Sequence, residues 1–275
     1  SFMTLKNLFL LFFIFCFTSS FSQMILNRDT SLTIAENGIA FSYALSGGIN
    51  AGQFSEIDLN LDGIMDLVVF DKSGDKISPF INDNGNYIYA PKYRNDFPKV
   101  HDWMLLADYN CDGKNDIYTY SSGGMAIYKN TSINTLSFTL VTSLVLTSPA
   151  LLSGGFPNIY ISPVDIPAIA DIDYDGDLDI LTFSISGGFV EYHKNMAIEL
   201  KGDCDTVAFE RSESCWGLFY EGLNSYILNC PNCLCSPIIN PNNANSKQKH
   251  AGSTLLALDI DNDNDMDLVL GDVSY

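Results

Sequence analysis

The stretch "DIDYDGDLDI" (171–180) places an aspartate at every second position from 171 to 179. Like charges this close repel one another, so a compact conformation of the segment needs a positive charge to offset them. The same spacing recurs in "DLNLDGIMDL" (58–67), "DYNCDGKNDI" (108–117) and "DIDNDNDMDL" (259–268). The chain therefore contains four copies of one acidic loop, and this internal repeat is the first feature to explain.

The four loops share a pattern that suits a hard cation. Each has Asp at positions 1, 5 and 9, Asp or Asn at position 3, and Gly or Asn at position 6. Oxygens at positions 1, 3 and 5 of a tightly curled loop can converge on one ion, with a carbonyl at position 7 and a carboxylate at position 9 completing the shell. Position 6 needs a sharp turn with positive φ, which suits Gly63, Gly113 and Gly176, and Asn264 is the next best choice there. Asp, Asn and Gly also favour ordinary solvated turns, but four copies in register favour a metal site.

The flanking residues are typical of strands, which excludes an EF-hand. An EF-hand needs a glutamate at position 12 between two helices, whereas position 12 here is Val69, Thr119, Thr182 or Leu270. Strand-like runs follow the loops at "DLVVF" (66–70), "DIYTY" (116–120), "DILTF" (179–183) and "DLVLG" (267–271). Strand-like runs also precede three of them, at "WMLLA" (103–107), "IPAIA" (166–170) and "TLLAL" (254–258). Each loop is thus predicted to join two β-strands.

A second mark repeats in phase with the loops. Gly74, Gly124 and Gly187 each stand sixteen residues after the first aspartate of a loop, and the similar runs "MAIYKN" (125–130) and "FVEYHKN" (189–195) follow the last two. Each unit then reads as strand, loop, strand, glycine turn, strand and a more variable strand. The pattern predicts an all-β fold, a β-propeller of four-stranded blades with about four blades present and the ring incomplete.

The overall charge excludes some classes of partner. The chain has 14 Lys and Arg against 33 Asp and Glu, a formal net charge of -19. Nucleic acids and anionic membranes are bound by basic surfaces, so neither is an expected partner.

The N-terminus has the pattern of a secretion signal. Met3 and Lys6 precede the apolar run "NLFLLFFIFCF" (7–17), and small residues at Ser20 and Ser22 suit cleavage before Gln23. The run is too short for a comfortable membrane span, although a retained anchor is the alternative interpretation. We expect a signal peptide at residues 1–22, a propeller domain at 23–275 without a membrane span, and a secreted or cell-surface protein.

Cysteines are concentrated in one region. After signal removal the chain keeps Cys111, Cys204, Cys215, Cys230, Cys233 and Cys235. In an exported protein this predicts a locally disulfide-bonded insertion at about 200–250. The C-x-x-C within "CPNCLC" (230–235) leaves a metal site as an alternative, and the connectivity is open. The aromatic run "CWGLFY" (215–220) is interpreted as core packing around the cysteines, with a ligand patch as the alternative.

At the acidic loops the chain resembles the FG-GAP/VCBS-repeat family, the propellers related to the integrin α-subunit head. The resemblance covers roughly residues 50 to 275, and the stretch from 46 to 74 also resembles secreted Bacteroidetes proteins with such repeats. It implies one Ca²⁺ per loop, about four in all, and a role in extracellular binding or adhesion. The ligands that it implies are Asp58, Asn60, Asp62, Ile64 and Asp66; Asp108, Asn110, Asp112, Lys114 and Asp116; Asp171, Asp173, Asp175, Asp177 and Asp179; and Asp259, Asp261, Asp263, Asp265 and Asp267, with Ile64, Lys114, Asp177 and Asp265 contributing carbonyls.

The sequence also departs from that family. The Phe-Gly and Gly-Ala-Pro elements are not evident, which favours the bacterial VCBS-like branch. The cysteine-rich insertion is additional, and the glycine turn after the fourth loop falls at Tyr275. We therefore expect a C-terminally truncated chain, with further blades or a sorting domain in the longer protein.

Three functions are compatible with these features. The first is a non-catalytic, calcium-stabilised module that binds an extracellular protein or glycan. The second is a catalytic or accessory part of a secreted hydrolase or lyase, for which the candidates are His101 with Asp102, His193, His250, Glu56, Glu191 and Glu221. The third is a spacer in a surface assembly. No nucleophile elbow, H-E-x-x-H or phosphate loop is present in the sequence, so the first is preferred.

Overall fold

A computed structural model describes residues 32–41, 43–148, 157–185, 187–222, 225–230 and 252–272. The chain divides into two compact units, Ser1–Leu45 and Ser46–Tyr275. In the first unit, β1 (Ala35–Glu36) and β2 (Ile39–Ala40) form a small hairpin. Its turn is Asn37-Gly38, and both residues have positive φ, as a two-residue hairpin turn requires. The predicted signal peptide at 1–22 lies outside the described residues.

The second unit begins with two antiparallel four-stranded sheets, which we call blade 1 and blade 2. In both, the strands lie side by side in chain order. Blade 1 contains β3 (Gly52–Ile57), β4 (Asp66–Asp71), β5 (Lys76–Asp83) and β6 (Asn86–Tyr89), and blade 2 contains β7 (Met104–Ala107), β8 (Asp116–Ser121), β9 (Gly124–Asn130) and β10 (Phe138–Thr142).

The third sheet, blade 3, has an additional edge strand. Its strands are β11 (Thr147–Ser148), β12 (Ala168–Ala170), β13 (Asp179–Phe183), β14 (Val190–Asn195) and β15 (Phe209–Glu213). β11 pairs in parallel with β15, and the other pairs are antiparallel. A short helix, α1 (Ala197–Lys201), follows β14. A hairpin of β16 (Tyr220–Gly222) and β17 (Ser225–Ile227) comes next.

The last described strands are β18 (Gly252–Leu258) and β19 (Asp267–Asp272), an antiparallel pair that we call blade 4. The sequence predicted the strands on both sides of the acidic loops within about two residues. The all-β fold built from four-stranded antiparallel sheets is confirmed. None of the described helices is long and apolar enough to cross a membrane.

Successive blades pack face to face. Three apolar clusters fill the spaces between blades 1 and 2, 2 and 3, and 3 and 4; they are centred on Phe70 and Met104, on Trp103 and Tyr118, and on Leu181 and Leu255. The second strand of blade 3 is covered on both faces by the neighbouring blades, which explains why "DILTF" is buried at every position. A strand buried on both faces is continuously apolar instead of alternating.

The first strands of neighbouring blades run in the same direction. The Met104 amide donates to Gln53 Oε1 (2.8 Å) and the Leu106 amide to Ser55 Oγ (3.3 Å), so β7 follows β3 residue by residue. The segment before β12 makes a parallel bridge with β18, in which the Leu255 amide donates to the Ile166 carbonyl (3.0 Å). This alignment places the loop after each first strand at the same end of the sheets.

Candidate metal centres

The four acidic loops connect the first and second strands of blades 1 to 4, and we call them loops 1 to 4. They lie next to one another. The Asn115 amide group of loop 2 donates to the Glu56 carbonyl at the end of β3 (2.7 Å). Cys111 Sγ of loop 2 lies 3.4 Å from the Gly176 carbonyl oxygen of loop 3. The Tyr174 hydroxyl of loop 3 donates to Asp259 Oδ2 of loop 4 (3.5 Å).

The position 1 aspartate closes each loop in the same way. Its Oδ1 accepts the amide of position 5 at 3.0 to 3.1 Å. Its Oδ2 accepts the amide of position 6 at 2.7 to 3.1 Å. The aspartates concerned are Asp58, Asp108, Asp171 and Asp259. The carboxylate therefore curls the chain around itself, as the predicted spacing requires.

The position 5 aspartate continues the curl. In every loop its Oδ1 accepts the amide of position 7, at 2.8 Å for Asp62, 3.0 Å for Asp112, 3.1 Å for Asp175 and 2.9 Å for Asp263. At position 3, Asn60 and Asn110 donate an amide hydrogen to the other oxygen of the position 5 carboxylate. The position 3 and position 5 side chains are thus in contact in loops 1 and 2, and in loop 4 one oxygen from each of positions 1, 3 and 5 lies within 4.8 Å of the others. Coordination through the position 7 carbonyls remains a prediction.

Two backbone positions in each loop have positive φ. Position 6 was predicted to do so, and Gly63, Gly113, Gly176 and Asn264 have φ between 68° and 103°. Positive φ at position 4 was not predicted. The four residues there nevertheless have φ near 60°: Leu61, Cys111, Tyr174 and Asn262. A bulky residue in this region is strained. The strain is tolerated at all four loops because the carboxylate network fixes the backbone on both sides of position 4.

The position 9 aspartate anchors the loop to its blade. Asp66, Asp116 and Asp179 are buried, and one oxygen of each accepts the amide of position 2 at 2.8 to 3.0 Å. The other oxygen accepts the backbone amide of an asparagine on the third strand of the blade, at 2.6 to 2.7 Å. These asparagines are Asn82, Asn130 and Asn195, and their side chains also donate to the position 8 carbonyls. The similar third-strand runs ending in "KN" were the sequence signal for Asn130 and Asn195, whereas Asn82 follows Ile81 and had no such signal.

Several oxygens in the loops are suited to a cation. One oxygen each from Asp171, Asp173 and Asp179 lie within 4.8 Å of one another, as do oxygens of Asp259, Asp261 and Asp263. Asn110 Oδ1 and Asp177 Oδ1 are buried and accept no hydrogen bond. Buried acceptors without a donor are costly, and an oxygen-binding cation would satisfy them. The residues therefore fit a metal ion of the calcium type.

The electrostatics of the loops lead to the same conclusion. Burial raises the pKa of Asp116 to about 6 and the pKa of Asp179 to about 7, and the pKa of Asp66 is also raised by burial. Burial, together with Asp175 and other neighbouring acids, raises the pKa of Asp177 to about 6. Burial disfavours the ionised form of each carboxylate, and a bound cation would favour it.

A disulfide joins Cys111, at position 4 of loop 2, to Cys204 after α1. The prediction of pairing within the insertion is therefore wrong for Cys204, because its partner lies 93 residues away on the neighbouring blade. The docking of blade 3 against blade 2 brings the two sulfurs together, and sequence spacing could not show this. Cys215 and Cys230 are also disulfide-bonded. Cys233 and Cys235 lie outside the described residues.

The run "CWGLFY" behaves as the sequence predicted. Trp216 and Phe219 pack against the apolar cluster between blades 3 and 4, and Cys215 is buried. The structure thus assigns these aromatic residues to packing.

The described histidines among the catalytic candidates, His101 and His193, lie in different environments. His101 Nδ1 lies 2.5 Å from Asp102 Oδ2, with its imidazole against Tyr120. His193 is buried in blade 3, with Thr182 and Thr147 hydroxyls at its two nitrogens and Glu191 3.5 Å away. Glu191 also pairs with Arg211 (3.3 Å). His250 lies outside the described residues.

Comparison with known proteins identifies the repeat. A family model for FG-GAP-like repeats matches residues 108–182. The match begins at the first aspartate of loop 2 and ends within β13, so it contains the whole of loops 2 and 3. No curated protein matches the chain significantly.

Proposed function

We propose that the chain is an FG-GAP-repeat protein whose β-propeller module is secreted, binds about four Ca²⁺ ions and acts in extracellular binding or adhesion without catalysing a reaction; the family match over residues 108–182 supports this. The observation that carries the proposal is that four separate loops repeat the same carboxylate network, and loops 2 and 3 also contain buried oxygens that accept no hydrogen bond. Ordinary acidic turns have no reason to repeat the same hydrogen bonds at four places in one chain.

The predicted ligands have distinct tasks in the proposed sites. Positions 1, 3 and 5 present side-chain oxygens, position 7 presents a carbonyl, and position 9 links the site to the third strand. Calcium is preferred to magnesium because a set made only of flexible oxygen ligands accommodates six to eight contacts, whereas magnesium demands a tight octahedron. Ion binding would neutralise the crowded carboxylates and fix the loops between the blades.

The disulfides support an extracellular location. Cys111–Cys204 and the bonded Cys215 and Cys230 are expected of a protein that folds in an oxidising compartment. If calcium has a structural role, the ends of the blades opposite loops 1 to 4 can provide the contacts to a protein or glycan partner.

The test is calcium stoichiometry on the secreted chain, measured by calorimetry, together with thermal unfolding with and without chelator. We expect about four ions per chain and a melting temperature that falls on chelation, because each site filled at a hundred times its Kd adds about 2.7 kcal/mol. Magnesium at the same concentration serves as the control and should restore little of the loss. No uptake of calcium and no change in melting temperature would refute the proposal.

A second measurement addresses the partner. Calcium-loaded and chelated chain would be compared for binding to immobilised glycans and extracellular proteins. Binding that requires calcium supports the extracellular binding role. Turnover of a glycan, instead of simple retention, would favour the hydrolase or lyase alternative.

A further inference from the structure

Loop 3 differs from the other loops because a lysine reaches into it. Lys194 lies on β14, directly before Asn195, whose amide donates to Asp179 Oδ1 (2.7 Å). Its ammonium contacts Asp173 Oδ2, lies 3.1 Å from Asp175 Oδ2 and lies 2.5 Å from Glu199 Oε1. Asp173 and Asp175 are the residues at positions 3 and 5. One side chain of the blade therefore engages two of the oxygens that a metal ion would use.

The charge of loop 3 explains why the lysine is there. Loop 3 has aspartate at all five odd positions, and α1 adds Glu199 beside them. Asp175 Oδ2 is buried, and the charged group beside it is the Lys194 ammonium at 3.1 Å. Asp177 is also buried, and its Oδ1 accepts no hydrogen bond. In this group of carboxylates, the ammonium supplies the positive charge.

The same strand position in the other blades gives a natural comparison. In blade 2 the residue before the anchoring asparagine is Lys129, and its ammonium pairs with Asp205 (3.2 Å), outside loop 2. In blade 1 the residue is Ile81, which carries no charge. Loop 4 has five aspartates, and no ion pair links them to a lysine or arginine in the part of the chain that the structure describes.

We propose that Lys194 is a built-in counter-ion of loop 3, which keeps this loop folded without metal and competes with Ca²⁺ for Asp173 and Asp175. The inference rests on the proposed calcium function and adds a difference between the sites. An ion entering loop 3 must share or displace the ammonium, and two positive charges this close repel each other. Loop 3 is therefore the site with the lowest calcium affinity, and loop 4 depends most on calcium for its folded conformation.

The decisive experiment is a calcium titration of the chelator-treated full chain by calorimetry, for wild type, Lys194→Met and Lys129→Met. We expect the weakest binding step of the wild type to tighten by about tenfold or more in Lys194→Met, since a competing charge beside the ion is removed. Lys129→Met is the matched control: it removes the equivalent lysine of the neighbouring blade and should leave the weakest step unchanged. Asp171→Asn should abolish that step, which assigns it to loop 3.

Thermal unfolding supplies a second readout. Lys194→Met should lower the melting temperature in chelator but not in saturating calcium, because the metal then replaces the ammonium. An equal loss in both conditions would reduce Lys194 to a structural contact and overturn the proposal, as would an unchanged or weakened binding step. Lys194→Gln, which keeps a hydrogen-bond donor, serves if the methionine variant does not fold, with the same expected outcomes. Failure of the wild type to take up any calcium would instead refute the proposed function itself.

Discussion

Loops 1 to 3 and loop 4 have the same sequence pattern, and the described residues contain the third-strand anchor for loops 1 to 3. Inside all four loops the position 1 and position 5 carboxylates accept the same amides. At position 9, Asp179 is buried and accepts the amides of Ile172 and of Asn195 on β14, whereas Asp267, among the described residues, which end at Asp272, accepts the Ile260 amide (3.0 Å). The curl of the loop is thus determined by nine residues of sequence, and its anchoring is determined by the third strand of the blade.

The largest expected effect separates these two contributions directly. Asp179→Ala and Asp267→Ala each remove the position 9 ligand of one proposed site, but Asp179 also accepts the amides of Ile172 and Asn195 and the hydroxyl of Tyr192 (3.0 Å). In saturating calcium we expect a loss of about 4 to 5 kcal/mol for Asp179→Ala and about 2 kcal/mol for Asp267→Ala, since buried donors left unpaired are costly. Denaturant unfolding measures both. Equal losses would mean that the third strand contributes little.

A somewhat smaller effect concerns pH in the absence of metal. The folded pKa of Asp179 is raised to about 7 and that of Asp116 to about 6, both by burial, from an ordinary value of 3.8. The folded state then binds more protons than the unfolded state. Its stabilisation is complete below about pH 4 and is lost as the pH rises through 6 to 7.

For Asp179 alone this loss amounts to at most about 4 kcal/mol, because each tenfold change in proton affinity is worth about 1.4 kcal/mol. Melting temperatures in chelator between pH 4 and pH 8 provide the measurement. In saturating calcium the fall should be absent or reversed, since ionised carboxylates bind the metal. A chelated protein that gains stability over this range would contradict the assignment of buried carboxyls to the anchors.

The smallest effect tests the strained position 4. Leu61 in loop 1 and Asn262 in loop 4 have φ of 62° and 60°, and asparagine tolerates this conformation better than leucine. We expect Leu61→Asn to stabilise the protein by about 0.5 kcal/mol and Asn262→Leu to destabilise it by a similar amount. Denaturant midpoints with unchanged slopes would report both. A loss on Leu61→Asn would show that the leucine side chain contributes packing that outweighs the backbone strain.

The comparison also explains what the sequence could predict. The strands beside the loops and the positive φ at Gly63, Gly113, Gly176 and Asn264 depend on local patterns, so they were accessible from the sequence. Two of the anchoring asparagines, Asn130 and Asn195, were visible in the similar runs that end in "KN", but the hydrogen bonds of all three to position 9 depend on how the third strand pairs with the second. Local reasoning does not provide that register.

Contacts between blades were harder to predict from the sequence. The Cys111–Cys204 bond, the contact of Tyr174 with Asp259 and the parallel strand β11 all join segments far apart in the chain. Lys194 and Lys129 occupy the same strand position and make different ion pairs. Their partners depend on what lies nearby: Glu199 on α1 in one case, Asp205 in the other.

The Cys111–Cys204 bond also has a consequence for the order of events during synthesis. Chains emerge from the ribosome with the N-terminal part first, so Cys111 is produced 93 residues before its partner exists. Residues 112–203 contain no cysteine, so Cys204 is the first cysteine to follow Cys111 during synthesis. The bond can form only after Cys204 has been synthesised and blade 3 has packed against blade 2. Its formation is therefore a late step that requires two neighbouring blades to be assembled.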